Sequence, residues 1–183
     1  MEKSFIIAGF GGQGVMVIGQ LLSYTTIETT KKFVTYYPSY GSEQRGGTAN
    51  CYVVISDDEI GSPKVDTVDY VVALNEPSKQ RFEKAVMPGG TMFVNSSIVT
   101  TETTRADVKT IKVDANNIAN ELGNPKVLNL VMVGAMIGYT DILPAENVLQ
   151  TAFNKLGAKR PELNELNEKA FRRGLEIGKA AKK

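Results

Sequence analysis

The sequence predicts an α/β protein, a three-layer α/β/α single domain built on a mixed, mostly parallel sheet. Short apolar runs alternate with segments of helical periodicity along the first two thirds of the chain, which is the pattern of a sheet covered by helices. A glycine-rich turn of the Rossmann type joins the first strand to the first helix. The 183 residues fit one domain over 1–183, and the last third, from about residue 115 to 183, is predicted to be helical.

The first strand and helix flank a stretch that we call the glycine turn (residues 9–14). Apolar residues predict a strand over 4–8 and, at helical spacing, a helix from about 14 to 29. Gly9, Gly11 and Gly14 match the G-x-G-x-x-G pattern of phosphate-binding turns. Such a turn points the N–H groups of a helix N-terminus at an anion. The glycine turn therefore has three interpretations. It binds a phosphate or other anion, it binds a dinucleotide, or it is a tight turn that serves packing alone.

The next two strands argue against a dinucleotide. They are predicted over 33–37 and 48–56, and the polar, glycine-rich loop between them, residues 38–47, leaves no room for a crossover helix. Antiparallel pairing is therefore expected, which makes the sheet mixed. A dinucleotide site also needs an acidic residue at the end of the second strand to bind the ribose. The segment Tyr36–Pro38 occupies that position, and the next carboxylate is Glu43.

The rest of the chain alternates strand and helix and then becomes helical. Asn75 and Ser78 follow a strand, and they either cap the next helix or donate hydrogen bonds to a ligand. Gly134 and Gly138 lie one turn apart in an apolar helix, so they predict the close approach of a neighbouring element. The predicted strands cover 70–74, 91–95 and 109–113, and the predicted helices cover about 75–86, 115–122, 127–139, 144–156 and 161–183.

Composition excludes several classes of site. The chain has no histidine, which excludes histidine-based triads, histidine-ligated metals and a histidine general base. The one cysteine, Cys51, rules out an internal disulfide and an iron–sulfur cluster held by this chain alone, and its apolar strand face predicts a buried core residue. A net charge of +1 gives no electrostatic case for nucleic acid or a membrane. Polar residues interrupt the longest apolar stretch, 127–143, so we predict no membrane span and a cytoplasmic protein.

Two segments form the candidate ligand site: the glycine turn and the segment after the second strand, which we call the arginine loop (residues 39–47). Arg45 suits a phosphate or carboxylate, which it would bind through two parallel hydrogen bonds. Glu43 lies two residues away, so an ion pair that stabilises the loop is the alternative. We predict no catalytic residue and no metal ligand. The predicted cofactor-binding residues are Gly11, Gly12, Gln13, Gly14, Ser39, Tyr40, Glu43, Arg45, Gly46 and Gly47.

Several motifs taken together resemble one family, the gamma subunits of the 2-oxoacid:ferredoxin oxidoreductases. They include Gly9–Val15 (GFGGQGV), Pro38–Cys51 (PSYGSEQRGGTANC), Ile60–Pro63 (IGSP) and Leu74–Ser78 (LNEPS), in order along the chain. The resemblance implies partners, namely alpha and beta subunits, often a small delta subunit, and ferredoxin as acceptor. It also implies cofactors of the complex: thiamine diphosphate with Mg for decarboxylation, iron–sulfur clusters for electron transfer, and coenzyme A to accept the acyl group.

The resemblance further implies the role of this chain. The arginine loop is most similar to that of 2-oxoglutarate enzymes, with pyruvate, branched-chain and indolepyruvate enzymes as alternatives. The chain itself shows no thiamine-binding pattern, so we expect it to hold none of these cofactors and to be inactive alone. The glycine turn and the arginine loop would hold coenzyme A phosphates or shield the active site from water across a subunit interface. The competing interpretations are a stand-alone nucleotide-binding dehydrogenase and a scaffold without a ligand; the isolated chain could also form a homodimer through its apolar helices.

Overall fold

The structure is a computed structural model that describes residues 1–40, 48–158 and 160–183. Within these residues six strands form one sheet in the order β2-β3-β1-β4-β5-β6. The strands are β1 (Glu2–Phe10), β2 (Phe33–Tyr40), β3 (Thr48–Ser56), β4 (Val68–Ala73), β5 (Val86–Asn95) and β6 (Lys109–Val113). Strands β1, β4, β5 and β6 are parallel neighbours, while β3 is antiparallel to both β1 and β2. The predicted mixed, mostly parallel sheet is therefore confirmed.

Helices cover the two faces of the sheet unequally. Within the described residues they are α1 (Val15–Thr29), α2 (Glu76–Phe82), α3 (Ala115–Glu121), α4 (Leu128–Thr140), α5 (Ala145–Lys155) and α6 (Asn164–Lys182). Alternate residues of β1 enter two core clusters, with Phe5 in the larger and Ile6 in the smaller, because successive strand residues face opposite sides. The larger cluster joins α1, α3, α4, α5 and α6 to the sheet, and the smaller cluster contains Phe82 of α2. The three predicted layers are therefore present. One outer layer contains five of these helices, and the other contains α2.

Strand β2 continues three residues farther than predicted, to Tyr40. Pro38 pairs with Cys51 of β3, and Tyr40 pairs with Ala49. The proline is tolerated because β2 is an edge strand with one neighbour in the sheet. The prediction that Ser39 and Tyr40 belong to a loop is therefore wrong, whereas residues 41–47 of the arginine loop lie outside the described residues.

The connection from α2 to β5 also differs from the prediction. Helix α2 ends at Phe82, a 3₁₀ turn covers Glu83–Ala85, and β5 begins at Val86 instead of Thr91. Val86 pairs with Val68 of β4, and the register then shifts before the regular pairing resumes. Gly89 and Gly90, which lie between the predicted helix and the predicted strand, thus belong to an irregular first part of β5, because pairing with β4 extends the strand backwards.

The thin α2 layer contains a buried ion pair, and hydrogen bonds to this pair hold the layer to the chain beyond β5. Nζ of Lys79 lies 2.9 Å from Oε2 of Glu83, and the two side chains are 3% and 7% exposed. The backbone N–H and hydroxyl of Thr104 donate to the same carboxylate at 2.6 and 2.7 Å. Burial alone would raise the pKa of Glu83, but the hydrogen bonds from Lys79 and Thr104 outweigh it and lower that pKa. The carboxylate therefore stays ionised and fixes the position of α2.

Helices α4 and α6 pack backbone against backbone through glycines. A Cβ on Gly134 would overlap the carbonyl oxygen of Phe171, and a Cβ on Gly174 would overlap that of Val131. The same relation recurs one turn on, at Gly138 and Gly178. The close approach predicted from the spacing of the two α4 glycines is therefore confirmed. The second glycine pair on α6 explains how two helix axes can come this near.

Candidate functional site

The glycine turn lies at the carboxyl edge of the sheet, between strands whose following helices leave on opposite faces. Strands β1 and β4 are parallel neighbours. Helix α1, which follows β1, enters the larger core cluster through Ile18, whereas α2, which follows β4, enters the smaller one through Phe82. Open α/β sheets bind ligands at such positions, because the diverging helices leave a crevice between them. The topology therefore places the glycine turn beside a crevice of the kind in which open α/β sheets bind ligands.

The backbone of the turn leaves the N-terminus of α1 without a side-chain cap. The Gln13 N–H donates to the Phe10 carbonyl at 3.1 Å, which closes the turn. Gly12 and Gly14 have φ angles of +95° and +85°, which glycine adopts without strain. At Gly14, the N-cap of α1, no side chain of the described residues accepts a hydrogen bond from the helix. The first N–H groups of α1, at the positive end of the helix dipole, are therefore available to an anion.

A cavity of about 270 Å³ lies against this turn and combines glycines with apolar side chains and one tyrosine. Its lining residues are Phe10, Gly11, Gly12, Gly14, Val15, Met16, Val17, Tyr40 and Ala49. Apart from the glycine itself and its two chain neighbours, no atom of the described residues lies within 4 Å of the position that a Cβ would take on Gly11 or Gly12. The cavity therefore offers backbone N–H groups beside apolar surface, a combination that suits an amphiphilic anion.

Tyr40 is a residue of the arginine loop that lines the cavity beside the glycine turn. It is the last residue of β2, its side chain is 71% exposed, and it pairs with Ala49 across the cavity wall. The hydroxyl of Tyr36, on the same strand, donates to Sδ of Met16 at 3.3 Å. This hydrogen bond fixes the side chain of Met16, which also lines the cavity. Burial raises the pKa of Tyr36 to about 12, so the phenol remains a neutral donor. The cavity wall is therefore preformed on this side.

The structure brings four of the predicted site residues together and separates two others from them. Those that line the cavity are Gly11, Gly12, Gly14 and Tyr40. Ser39 does not, since it faces the opposite side of the sheet from Tyr40. Gln13 does not, because its side-chain amide is hydrogen-bonded to the residues that follow β4. The predicted residues Glu43, Arg45, Gly46 and Gly47 lie outside the described residues and stay predictions.

Residues that were not predicted for the site also belong to the surroundings of the turn. Met16 and Val17 line the cavity from the first turn of α1, and Ala49 lines it from β3. Asn129, at the start of α4, lies so near the turn that a Cβ on Gly14 would come within 2.9 Å of its side chain. The sequence gives one signal for Asn129, which is a polar residue at the beginning of an apolar helix. Its proximity to Gly14 depends on helix packing.

Cys51 has the predicted core role. It is fully buried, and burial raises the pKa of its thiol to about 12. The thiol donates to the Val15 carbonyl at 3.7 Å. A neutral, enclosed thiol is not a nucleophile. In the described ranges there is no group of three or more acidic, cysteine or histidine side chains suited to a metal ion.

The described part of the chain contains no helix with both the length and the apolar character to span a bilayer.

The sequence is similar to one family over nearly its whole length. The profile described as pyruvate ferredoxin/flavodoxin oxidoreductase matches residues 4–177. The chain is 37% identical over 172 residues to the ketoisovalerate oxidoreductase subunit VorA of Methanothermobacter thermautotrophicus, which covers 93% of this chain and 35% of that protein. It is 33% identical over 181 residues to the 2-oxoglutarate synthase subunit KorC of Methanocaldococcus jannaschii, which covers 98% and 95%. It therefore spans about a third of the first relative and nearly all of the second.

Solved structures share the fold. The gamma subunit of a keto/oxoacid ferredoxin oxidoreductase from Geobacter sulfurreducens is similar with a TM-score of 0.87 at 27% identity, covering 100% of this chain and 99% of that one. A 2-oxoglutarate:ferredoxin oxidoreductase from Magnetococcus marinus, solved with 2-oxoglutarate, coenzyme A and succinyl-CoA bound, gives a TM-score of 0.89 at 22% identity over 98% of this chain and 31% of that one. The expected single α/β fold is confirmed by these matches.

Proposed function

Because this chain belongs to the pyruvate ferredoxin/flavodoxin oxidoreductase family, we propose that it is the gamma subunit of a 2-oxoacid:ferredoxin oxidoreductase. The complex oxidatively decarboxylates a 2-oxoacid, transfers the acyl group to coenzyme A and passes the electrons to ferredoxin. Thiamine diphosphate with its Mg, and the iron–sulfur clusters, would be held by the alpha, beta and delta subunits, since one cysteine cannot ligate a cluster. This chain would contribute a wall of the coenzyme A site.

One observation carries this role: the cavity at the glycine turn joins an uncapped helix N-terminus to apolar side chains. Coenzyme A has the matching chemistry, because it carries phosphate groups next to an apolar arm and a flat adenine ring. A phosphate would accept hydrogen bonds from the N–H groups at the start of α1. Met16, Val17 and the exposed ring of Tyr40 would contact the apolar part of the same ligand.

The size of the cavity supports a shared site. At about 270 Å³ it lies below the range of about 300–1,000 Å³ that is usual for small-molecule pockets. It would therefore hold part of coenzyme A, and the remaining contacts would come from partner subunits and from the arginine loop. Arg45 would bind a second phosphate of the ligand from that loop. We therefore expect the isolated gamma subunit to bind coenzyme A weakly.

We propose 2-oxoglutarate as the 2-oxoacid. The supporting similarity is that to the KorC subunit, which extends over 98% of this chain and 95% of the relative. The similarity to a ketoisovalerate enzyme keeps a branched-chain 2-oxoacid as the alternative. Purification of the complex from its native source, followed by ferredoxin reduction with each 2-oxoacid, decides between them. We expect the highest kcat/KM with 2-oxoglutarate, and a preference for ketoisovalerate would overturn the assignment.

The coenzyme A role is tested by Gly11→Val in the assembled complex. Gly11 lines the cavity, has no positive φ and has open space at its Cβ position, so valine there blocks the ligand without straining the fold. We expect the KM for coenzyme A to rise about tenfold with the subunit composition unchanged. Gly61→Val is the matched control, because Gly61 also has open space and lies away from the cavity. Unchanged coenzyme A kinetics in Gly11→Val would refute the role, and loss of assembly in Arg45→Ala would make the arginine loop an interface element.

A further inference from the structure

Gln13 is a predicted site residue whose side chain turns away from the cavity and towards the end of β4. Its Oε1 accepts two hydrogen bonds, from the Phe10 N–H at 2.7 Å and from Nδ2 of Asn75 at 2.9 Å. Its Nε2 donates to the Leu74 carbonyl at 3.4 Å. One amide thus joins the end of β1 to the first residues after β4. It bridges the two strands at which the helices diverge.

Gly9 provides the space that this amide occupies. A Cβ on Gly9 would come within 2.8 Å of Oε1 of Gln13 and within 3.0 Å of Cβ of Leu74. Any other residue at position 9 would therefore displace the amide from its partners. The first glycine of the G-x-G-x-x-G pattern serves Gln13, in contrast to Gly11 and Gly12, which border the cavity.

The partners of Gln13 are themselves fixed. Asn75 is 3% exposed, and its Oδ1 accepts the Ser78 N–H at 2.9 Å, which caps α2. Asn95, at the end of β5, is fully buried and donates both to the Leu74 carbonyl at 3.4 Å and to Oδ1 of Asn116 at 2.7 Å. Hydrogen bonds are stronger in such a low-dielectric environment than at the surface. The glycine turn is therefore anchored to buried residues that are themselves hydrogen-bonded.

We infer that Gln13 is a positioning residue, which anchors the glycine turn to Asn75 and so holds the N–H groups of the turn in the geometry that receives the ligand's anionic group. The turn contains two positive-φ glycines, and without an anchor it would sample many conformations. A preorganised turn loses less conformational entropy when the ligand binds. The effect on the ligand rests on the proposed function, whereas the anchoring itself does not.

The test separates anchoring from direct contact with the ligand. Gln13→Ala removes the anchor. Asn75→Asp keeps an oxygen that accepts the Ser78 N–H but replaces the donor to Gln13 by an oxygen that repels it. Gln150→Ala is the matched control, because Gln150 is exposed on α5 and its amide bonds only Asn154 among the described residues. Each variant is measured in the assembled complex for coenzyme A kinetics and in the full chain for amide hydrogen exchange.

We expect Gln13→Ala and Asn75→Asp each to raise the KM for coenzyme A about tenfold, to leave kcat within twofold and to speed exchange of the Phe10 amide at least tenfold. The double variant should be no worse than the more affected single variant, since both changes break one anchor. Gln150→Ala should change neither measurement.

Two results would overturn the inference. A raised KM in Gln13→Ala with a normal KM in Asn75→Asp would mean that Gln13 contacts the ligand itself. Unchanged exchange of the Phe10 amide in both variants would mean that Gln13 anchors nothing. If exchange is faster but neither these variants nor Gly11→Val alter coenzyme A kinetics, the anchor stands and coenzyme A is the wrong ligand.

Discussion

The glycines of the glycine turn and the glycines between α4 and α6 differ in what surrounds them. At Gly11 and Gly12 the space that a Cβ would fill is empty and borders a cavity. At Gly134 and Gly174 the same space is filled by the carbonyl groups of the facing helix. One set leaves room for a molecule that is not part of the chain, and the other lets two helices touch. The neighbourhood of a glycine, more than its presence in a motif, indicates whether it concerns a ligand.

Some glycines of the site region lie between these extremes. Gly14 borders the cavity, yet its Cβ position also meets Asn129 of α4. A Cβ on Gly19 would contact the side chains of Cys51 and Tyr36, and side chains can move aside more easily than backbone. A graded series of substitutions therefore tests the comparison, because the loss of stability should follow what fills the space.

The largest effect is expected at the helix contact, for Gly174→Ala. Alanine normally stabilises a helix by about 1 kcal/mol relative to glycine. Here its Cβ would overlap the Val131 carbonyl, and the forced separation of two packed helices outweighs that gain, so we expect a net loss of about 3 kcal/mol. Urea denaturation of the full chain measures the free energy of unfolding, with Gly61→Ala as the control in open space. A gain of stability in Gly174→Ala would contradict the close packing of α4 and α6.

A smaller loss is expected for Gly14→Ala. Its φ of +85° costs an L-residue about 1 kcal/mol, and the contact with Asn129 adds a cost of similar size, so we expect about 2 kcal/mol in total. Gly12→Ala is the matched variant, since it has a φ of +95° but open space. Denaturation of both variants isolates the Asn129 contact as the difference. Equal losses of unfolding free energy in the two variants would show that Asn129 of α4 does not contact the turn closely.

Gly19→Ala should destabilise less, with a net loss of about 1 kcal/mol, because a crowding cost of about 2 kcal/mol exceeds the helix gain of alanine of about 1 kcal/mol. Its Cβ would come within 2.6 Å of Sγ of Cys51 and 2.8 Å of the Tyr36 ring, but side chains yield more readily than backbone. Cys51→Ala removes the nearer atom, so the double variant should lose less than the sum of the two single variants. A double-mutant cycle of unfolding free energies provides the measurement, and strict additivity would argue against the contact.

The smallest effect on stability is expected for Gly11→Val, within about 0.5 kcal/mol of the parent chain. Nothing lies within 4 Å of its Cβ position among the described residues. Thermal or urea unfolding checks this value alongside the coenzyme A kinetics of the same variant. A large loss of stability would place Gly11 with the filled glycines and remove it from the ligand site.

Local patterns predicted much of the fold, as particular elements show. The strands over 48–56 and 109–113 were predicted with the bounds that the structure has, because apolar alternation and flanking turn residues depend on short-range chemistry. The end of β2 and the start of β5 were predicted wrongly, since pairing with a neighbouring strand extended both beyond their local signals. At the cavity, Tyr40 lies beside three glycines of the turn, whereas Ala49 and Asn129 belong to elements whose proximity no local pattern reveals.

The sequence by itself determined the family, the strand–turn–helix at the N-terminus, the absence of histidine chemistry and the closeness of a partner to Gly134. These follow from residue types and spacings along the chain. Only the tertiary structure decided which glycines face empty space, that Gln13 points inward to Asn75, and that α4 reaches the turn. The physical reason is that a residue's type fixes the conformations and hydrogen bonds that it can adopt, while packing of distant segments selects the one that it does adopt.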